Sequence, residues 1–129
     1  MTPSLLRAFR ATSYRAGGAA VRVGRRSTAM DRVLGAREGA FVTAWNPAAR
    51  RYPEGWNRRR DRALQSWLRR LTVVLGVGKG RGWFEEHWLV TADPRRVAVL
   101  ARRFRQAAIT VVKRGQPARL RLLPAASPR

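Results

Sequence analysis

The chain has 129 residues, of which 45% are hydrophobic, and a formal net charge of +21 from 28 basic and 7 acidic side chains. This length suits one domain with a modest core, and the apolar content argues against disorder. The absence of cysteine excludes disulfides and thiolate chemistry, and the single histidine leaves few ligands for a metal, so we expect no metal and no cofactor.

The first thirty residues contain several arginines and no acid, which is also typical of a mitochondrial presequence. Against that interpretation, the stretch SYRAGGAAVRVG alternates apolar residues with arginine on both sides of Gly17-Gly18. We therefore favour a β-hairpin here, preceded by a flexible N-terminus over residues 1–11. No apolar run approaches the roughly 18–20 residues that a membrane-spanning helix needs.

A short helix capped by Ser27 or Thr28 is expected next. The stretch AFVTAW that follows is apolar almost throughout and rich in β-branched and aromatic residues, which predicts a central strand covered on both faces. Asn46-Pro47 ends this strand, because proline cannot donate a ladder hydrogen bond.

Pro53 suits the first position of a helix that we expect from about residue 54 to residue 71. One face of this helix is apolar and is assigned to the core: Leu64, Trp67, Leu68 and Leu71. The other face is a stripe of arginines: Arg58, Arg59, Arg62, Arg69 and Arg70. Asn57 and Arg60 fall near the apolar face, so polar partners must meet them.

Two strands, TVVLGV and WFEEHWLVTA, are expected on either side of a flexible glycine loop, GVGKGRG. Asp93-Pro94 opens a helix that ends near Gln106, and AITVVK and ARLRLL are further strands. The fold class predicted is α/β (α+β): a single small sandwich with a mixed, mostly antiparallel sheet and two to three helices. It forms one basic domain over residues 12–123, with a flexible tail over residues 124–129.

The glycine loop matches neither standard phosphate-binding pattern. Gly80 follows Lys79 where the Walker pattern needs Ser or Thr, and Arg81 stands where the dinucleotide pattern needs a third glycine. We interpret it as a hairpin loop whose two cations, Lys79 and Arg81, could touch a phosphate.

Glu85 and Glu86 are adjacent on a predicted strand, so their side chains point to opposite faces and cannot act as a facing pair. His87 shares a face with Glu85. No Ser-His-acid arrangement and no metal-ligand spacing is visible, so no catalytic residue is assigned and an enzyme is the less favoured class.

Tryptophan rings could stack on nucleic-acid bases. Trp45, Trp67 and Trp88 occupy positions that we assign to the core. Trp56 and Trp83 are the two expected to be partly exposed.

The remaining constellation is polar. Asn46 ends a central strand, Asn57 and Arg60 lie in the first turns of the next helix, and Gln106 ends a later helix. In open α/β sheets, ligands collect at such strand ends and helix N-termini. Either these groups form a buried network that fixes the turn, or they line a pocket for a carboxylate or phosphate with Arg60 as a bidentate fork.

The blocks FVTAWNP, NRRR, WFEEHWLV and ARRFRQAAITVV, taken in this order, resemble a bacterial family of unknown function, domain-of-unknown-function family 3293. The resemblance covers roughly residues 6–123. It implies a polar signature at Asn46, Pro47, Asn57, an acid near Glu85, and Gln106. Many members have Gly-Gln-Asn where this chain has Arg105-Gln106-Ala107. The resemblance implies a bacterial cytoplasmic protein and supplies no activity.

Three hypotheses follow. The first is a non-enzymatic module in which the arginine stripe, with Lys79 and Arg81, binds the phosphates of RNA or DNA, with steep salt dependence. The second is a small enzyme or ligand sensor with an anion pocket built from Asn46, Asn57, Arg60, Glu85 and Gln106. The third is a structural or interaction protein whose charge reflects GC-rich coding. The oligomeric state stays open.

Overall fold

The computed structural model describes residues 1–124, so only Pro124 of the predicted flexible tail lies within them. The four α-helices are α1 (Pro3–Ala11), α2 (Thr28–Leu34), α3 (Glu54–Leu68) and α4 (Pro94–Arg103). The seven strands are β1 (Ser13–Ala16), β2 (Ala19–Val21), β3 (Glu38–Val42), β4 (Val73–Gly80), β5 (Trp83–Val90), β6 (Ala108–Lys113) and β7 (Arg119–Leu122). They form one sheet in the order β2-β1-β4-β5-β3-β6-β7, and every pairing of these strands is antiparallel. The predicted α+β class is confirmed.

Both faces of the sheet are buried at β3, because the β3 side chains that point to either face are apolar. Ala40 and Val42 pack under α3 and α4, whereas Phe41 packs in a second core under α2. Successive side chains of a strand point to opposite faces, so this alternation makes β3 the shared wall of two cores. The strand ends at Val42, before the predicted Trp45, because the Thr43 hydroxyl accepts a hydrogen bond from Trp45 N at 3.0 Å and turns the chain.

The N-terminal segment forms a helix followed by the predicted hairpin. β1 and β2 pair across Gly17 and Gly18, whose φ angles of 58° and 78° suit glycine. Residues 3–11, expected within a flexible terminus, instead form α1, which begins where the Thr2 hydroxyl accepts a hydrogen bond from Leu5 N. None of its residues is fully buried.

The prediction of a flexible glycine loop between β4 and β5 is wrong. Residues 76–80 belong to β4, and only Arg81 and Gly82 connect the two strands. A Cβ at Gly76 would lie 2.6 Å from the Arg15 carbonyl oxygen, and one at Gly78 would lie 2.7 Å from His87 Cε1. These glycines therefore let a strand and an imidazole ring approach closely, and they supply no flexibility.

The C-terminal end of α3 also differs from the prediction. The helix ends at Leu68, and Trp67, assigned above to the core, is 49% exposed. The buried stripe runs through Asn57, Asp61, Leu64 and Leu68, and Trp67 lies beside that stripe with the Arg103 guanidinium 4.3 Å from its ring centroid. α4 likewise ends at Arg103, earlier than expected. Among residues 1–124, no helix has both the length and the apolar character of a membrane span.

Candidate functional site

A cavity of about 870 Å³ lies between α1, the sheet face that carries Tyr14 and Phe41, and the loop that joins β3 to α3. Leu5 and Phe9 of α1 cover one side of it, and both are half-buried. The deep wall is buried, whereas the solvent end is lined by exposed residues. This volume falls in the range of small-molecule sites, roughly 300–1,000 Å³.

Two asparagines pair with each other at the edge of this cavity. Asn46 N donates to Asn57 Oδ1 at 2.9 Å, and Asn57 Nδ2 donates to Asn46 Oδ1 at 3.0 Å. Tyr52 supplies further partners, since its N–H donates to Asn46 Oδ1 and its carbonyl accepts from Asn57 Nδ2. The four bonds tie the end of β3 to the first turns of α3, and Asn57 is only 2% exposed.

Glu85 accepts a hydrogen bond from the Asn46 side-chain amide, which donates nothing within the pair. Asn46 Nδ2 donates to Glu85 Oε2 at 2.7 Å. Burial raises the pKa of Glu85, and the hydrogen bond from Asn46 opposes the rise. No arginine or lysine among residues 1–124 forms an ion pair with Glu85, and its Oε1 has no hydrogen-bond partner there. The cavity therefore contains a carboxylate oxygen free to accept a hydrogen bond.

His87 is neutral in this site. Burial lowers the pKa of His87 to about 4, although its hydrogen bond to the Glu85 carbonyl acts in the opposite direction. That carbonyl can only accept, so the proton is on Nδ1, which lies 3.0 Å from the carbonyl oxygen. Nε2 is left as an acceptor. The Tyr14 ring meets the imidazole edge-on at 5.6 Å, and burial also raises the pKa of Tyr14.

Two buried polar atoms beside the cavity lack partners within the described residues: Trp45 Nε1 and Thr110 Oγ1. Both atoms are closed to solvent, so they lie behind the cavity surface. Trp45 is 4% exposed and Thr110 is 1% exposed. The Thr110 hydroxyl is close enough to Tyr14 to oppose the rise in the pKa of that phenol, but it forms no hydrogen bond of ordinary length and angle. Such groups are rare in folded proteins, because burial without a partner costs about 1–3 kcal/mol each.

Four of the five residues predicted for the polar cluster line this cavity: Asn46, Asn57, Glu85 and Gln106. Gln106 Nε2 donates to the Trp45 carbonyl at 3.1 Å, which joins the later helix end to the strand end.

The fifth residue, Arg60, is not part of the cavity wall. Its guanidinium lies 4.8 Å from the Phe104 ring centroid and 5.9 Å from that of Trp56. It forms no hydrogen bond with Asn46 or Asn57, so the expected bidentate fork is not aimed at the cluster.

The residues predicted to bind polyanions are exposed: Arg58, Arg59, Arg62, Arg69, Arg70, Lys79 and Arg81. Arg58 is already neutralised, because it contacts Glu54 at 2.5 Å and Glu86 at 2.8 Å. The other six form no ion pair with a carboxylate in residues 1–124.

Several lining residues were not predicted from the sequence. Tyr14 and Thr110 come from strands that looked like ordinary core strands, and Arg50 and Arg51 come from a loop without a pattern. The available signal was Thr110 itself, since one hydroxyl in the apolar run AITVVK needs a partner. No group of three His, Cys, Asp or Glu side chains suited to a metal occurs in the described part of the chain.

The chain matches a known protein family. Residues 42–109, just over half of the chain, match the family described as "Protein of unknown function (DUF3293)". No curated protein and no solved structure matches. The matched segment contains Asn46, Asn57, Glu85 and Gln106, but not α1 or β1.

The amide pair should be a large contributor to stability. Asn57→Ala removes one acceptor and two donated bonds, leaving Asn46 N–H and the Tyr52 carbonyl without these partners, so we expect a loss of about 2–4 kcal/mol in the free energy of unfolding. Ser66→Ala, on the same helix, removes one exposed bond to the Ala63 carbonyl and should cost less than about 1 kcal/mol. Urea unfolding of both variants measures this, and equal losses would contradict the role given to the pair.

Neutral His87 should make stability fall on acidification. Its pKa is lower in the folded state than in the unfolded chain, so its contribution is fully present above pH 6.5 and is lost as the pH falls toward 4, by up to about 3 kcal/mol. Glu85 acts in the opposite sense, because its raised pKa favours protonation of the folded state. The test compares the free energy of unfolding of wild type and of His87→Gln at pH 7 and at pH 4.5. Glu85 is present in both proteins, so its contribution cancels in the comparison. Parallel pH profiles would exclude this shift.

Proposed function

The chain belongs to the DUF3293 family of proteins of unknown function, and we propose that its cavity binds a small organic ligand. The observation that carries the proposal is a contrast between the Asn46–Asn57 pair and Glu85. Both side-chain carbonyl oxygens of the pair accept hydrogen bonds within the chain, and both side-chain amides donate. Glu85 Oε1 has no partner among residues 1–124, although Glu85 lines the cavity.

A ligand is the simplest partner for this oxygen. The carboxylate oxygen supplies a directional contact of the kind that a small-molecule site uses, and the aromatic rings supply its apolar area. Cavity walls of this kind orient a ligand through hydrogen bonds and bind it through buried surface. This proposal replaces the predicted anion pocket in which Arg60 binds the ligand, because the Arg60 guanidinium lies over the rings of Phe104 and Trp56.

The indole N–H of Trp45 provides a direct readout of ligand binding. In a ¹H–¹⁵N spectrum titrated with a library of organic fragments, we expect the Trp45 Nε1–H resonance to shift for compounds that bind. The matched internal control is Trp67, which is exposed on α3 and lies outside the cavity lining, so its resonance should stay in place. If no compound moves Trp45 without also moving Trp67, the cavity is not a ligand site and the polar cluster is structural.

Thr110→Val should separate binding from stability. The substitution removes a buried hydroxyl that has no ordinary hydrogen bond, so the ligand-free protein should be unchanged or stabilised by up to about 1 kcal/mol. Because the hydroxyl is closed to the cavity, the affinity for a fragment that binds there should change by less than about twofold, or roughly 0.4 kcal/mol. Thermal unfolding and titration with the strongest fragment measure the two effects. Destabilisation by more than about 1 kcal/mol would mean that the hydroxyl has a structural partner.

A second function, binding of RNA or DNA phosphates, is supported by the exposed arginines of the α3 segment. Arg59, Arg62, Arg69 and Arg70 form no ion pair with a carboxylate within residues 1–124. If each contacts one phosphate of duplex DNA, affinity should fall on the order of 100-fold between 50 and 200 mM salt. Changing these four to Gln should make the affinity less dependent on salt. The control changes Arg25, Arg26, Arg114 and Arg119 to Gln, which removes the same charge from exposed sites elsewhere. Equal effects of both sets would contradict a localised stripe.

A further inference from the structure

Two ring side chains flank Glu85 on the face of β5 that lines the cavity. Side chains two residues apart on a strand point to the same face, so Trp83 and His87 share this face with Glu85, and all three line the cavity. Glu86 points to the opposite face, where its carboxylate pairs with Arg58. An indole and an imidazole are therefore the neighbours of the Glu85 carboxylate along its own strand.

Glycines of β4 determine where these two rings lie. A Cβ at Gly78 would lie 2.7 Å from His87 Cε1, and one at Gly80 would collide with the Trp83 indole. Gly78 is the β4 residue opposite Glu85, and Gly80 is the residue opposite Trp83. The imidazole therefore leans across β4 to the level of Glu85, and the indole lies over β4 one pair nearer the end of the hairpin.

The polar atoms at this place accept hydrogen bonds. Glu85 Oε2 is bonded to Asn46, whereas Oε1 has no partner among residues 1–124 and is not closed to solvent. The proton of His87 is on Nδ1 and is donated to the Glu85 carbonyl, so the imidazole has only an acceptor nitrogen left. A ligand group that binds beside Glu85 must therefore donate a hydrogen bond.

The Glu85 carboxylate also lacks a counter-charge. Burial raises the pKa of Glu85, the hydrogen bond from Asn46 opposes the rise, and no arginine or lysine contributes to it. Arg50 and Arg51 belong to the same cavity lining but form no ion pair with this carboxylate. A cation at Oε1 supplies the missing charge, and an indole ring attracts cations through its π-electrons. The carboxylate and Trp83 thus favour the same kind of ligand.

Building on the proposed ligand site, we propose that the cavity binds an organic amine as its ammonium ion. The ammonium group donates a hydrogen bond to Glu85 Oε1, and the Trp83 ring contacts the cation. The apolar part of the ligand packs against Leu5 and Phe9 of α1 and against Phe41 of β3, which line the same cavity.

The net charge of +21 does not exclude a cation from this site. Exposed charges are screened beyond the Debye length, which is about 10 Å at 0.1 M salt, whereas a half-buried contact is screened much less. A carboxylate ligand is attracted by the surface arginines but meets the Glu85 carboxylate at contact distance, where like charges repel. The nearest charge therefore determines which sign of ligand the cavity accepts.

Benzylamine, benzyl alcohol and benzoate test the assignment, because they share one ring and differ in charge. Their dissociation constants are measured from ¹H–¹⁵N spectra of the full chain at pH 7, where the amine is protonated. Benzylamine should bind at least about tenfold more tightly than the alcohol or the acid, because only the ammonium ion pairs with Glu85. Benzoate binding as tightly as benzylamine, or more tightly, would overturn the inference.

Glu85→Gln removes the charge and keeps an oxygen that can accept from Asn46. Benzylamine affinity should fall at least about tenfold, while benzyl alcohol affinity changes by less than about threefold. The matched control is Glu86→Gln, which removes the same charge from the opposite face of β5 and should change benzylamine affinity by less than about twofold. Equal losses in the two variants would mean that no specific ion pair forms, and the inference would be wrong.

Trp83→Leu gives an independent test at a position that is 37% exposed, so it does not depend on whether Glu85→Gln folds. The substitution keeps an apolar side chain and removes the π-electrons. Benzylamine should lose more than about threefold in affinity, and benzyl alcohol should lose less than about twofold. An equal loss for the charged and the neutral ligand would contradict a contact between Trp83 and the cation.

The same spectra separate this inference from the proposed function. If benzylamine does not bind while neutral or anionic fragments still move the Trp45 indole resonance, the amine assignment is wrong and the ligand site remains. If neither benzylamine nor any fragment moves that resonance, both fail.

Discussion

The reciprocal bonding of Asn46 and Asn57 is the constraint on which the site depends. Asn46 adopts a left-handed conformation, with φ 48° and ψ 58°, which an asparagine tolerates better than most residues. Its backbone N–H and its side-chain oxygen are both held by Asn57. With these two groups fixed, Asn46 Nδ2 is directed at Glu85, so the orientation of the carboxylate follows from a bond between two amides.

The backbone around this pair is strained in a way that the pair offsets. Ala48, Ala49 and Arg105 also have positive φ angles, of 55°, 59° and 54°. A non-glycine residue in this region costs on the order of 1–3 kcal/mol, so such a turn persists only where other contacts determine it. Ala48 N–H donates to the Arg105 carbonyl at 2.8 Å, which joins two of the strained positions. The family resemblance implies glycine at Arg105, where this φ would carry no strain.

Much of the site could be predicted from the sequence, because three of its residues mark the ends of elements. Asn46 and Gln106 follow the end of a strand and of a helix by a few residues, and Asn57 lies on the buried side of a helix start, so each needed a nearby polar partner. Arg60 also needed a partner, and an aromatic ring supplies it. A helical wheel gives the direction in which a side chain leaves the helix, but it does not show which neighbour the side chain contacts. The glycines of β4 were predicted to form a flexible loop because glycine is common in loops, but they belong to the strand. Their purpose depends on residues that face them from other strands, which local sequence does not specify.

Two inner carboxylates show how a structural acid differs from one suited to a ligand. Asp61 is 4% exposed, and both of its oxygens have neutral donors, Trp88 Nε1 at 2.9 Å and Gln65 Nε2 at 2.8 Å. Glu85 has the same kind of neutral environment but only one oxygen bonded within the described chain. Three of the other acids, Glu54, Glu86 and Asp93, pair with arginines at the surface. Because basic residues are abundant, a free inner carboxylate oxygen reflects where the fold keeps arginine out. In the proposed ligand site, Glu85 is therefore the group that would distinguish one ligand from another.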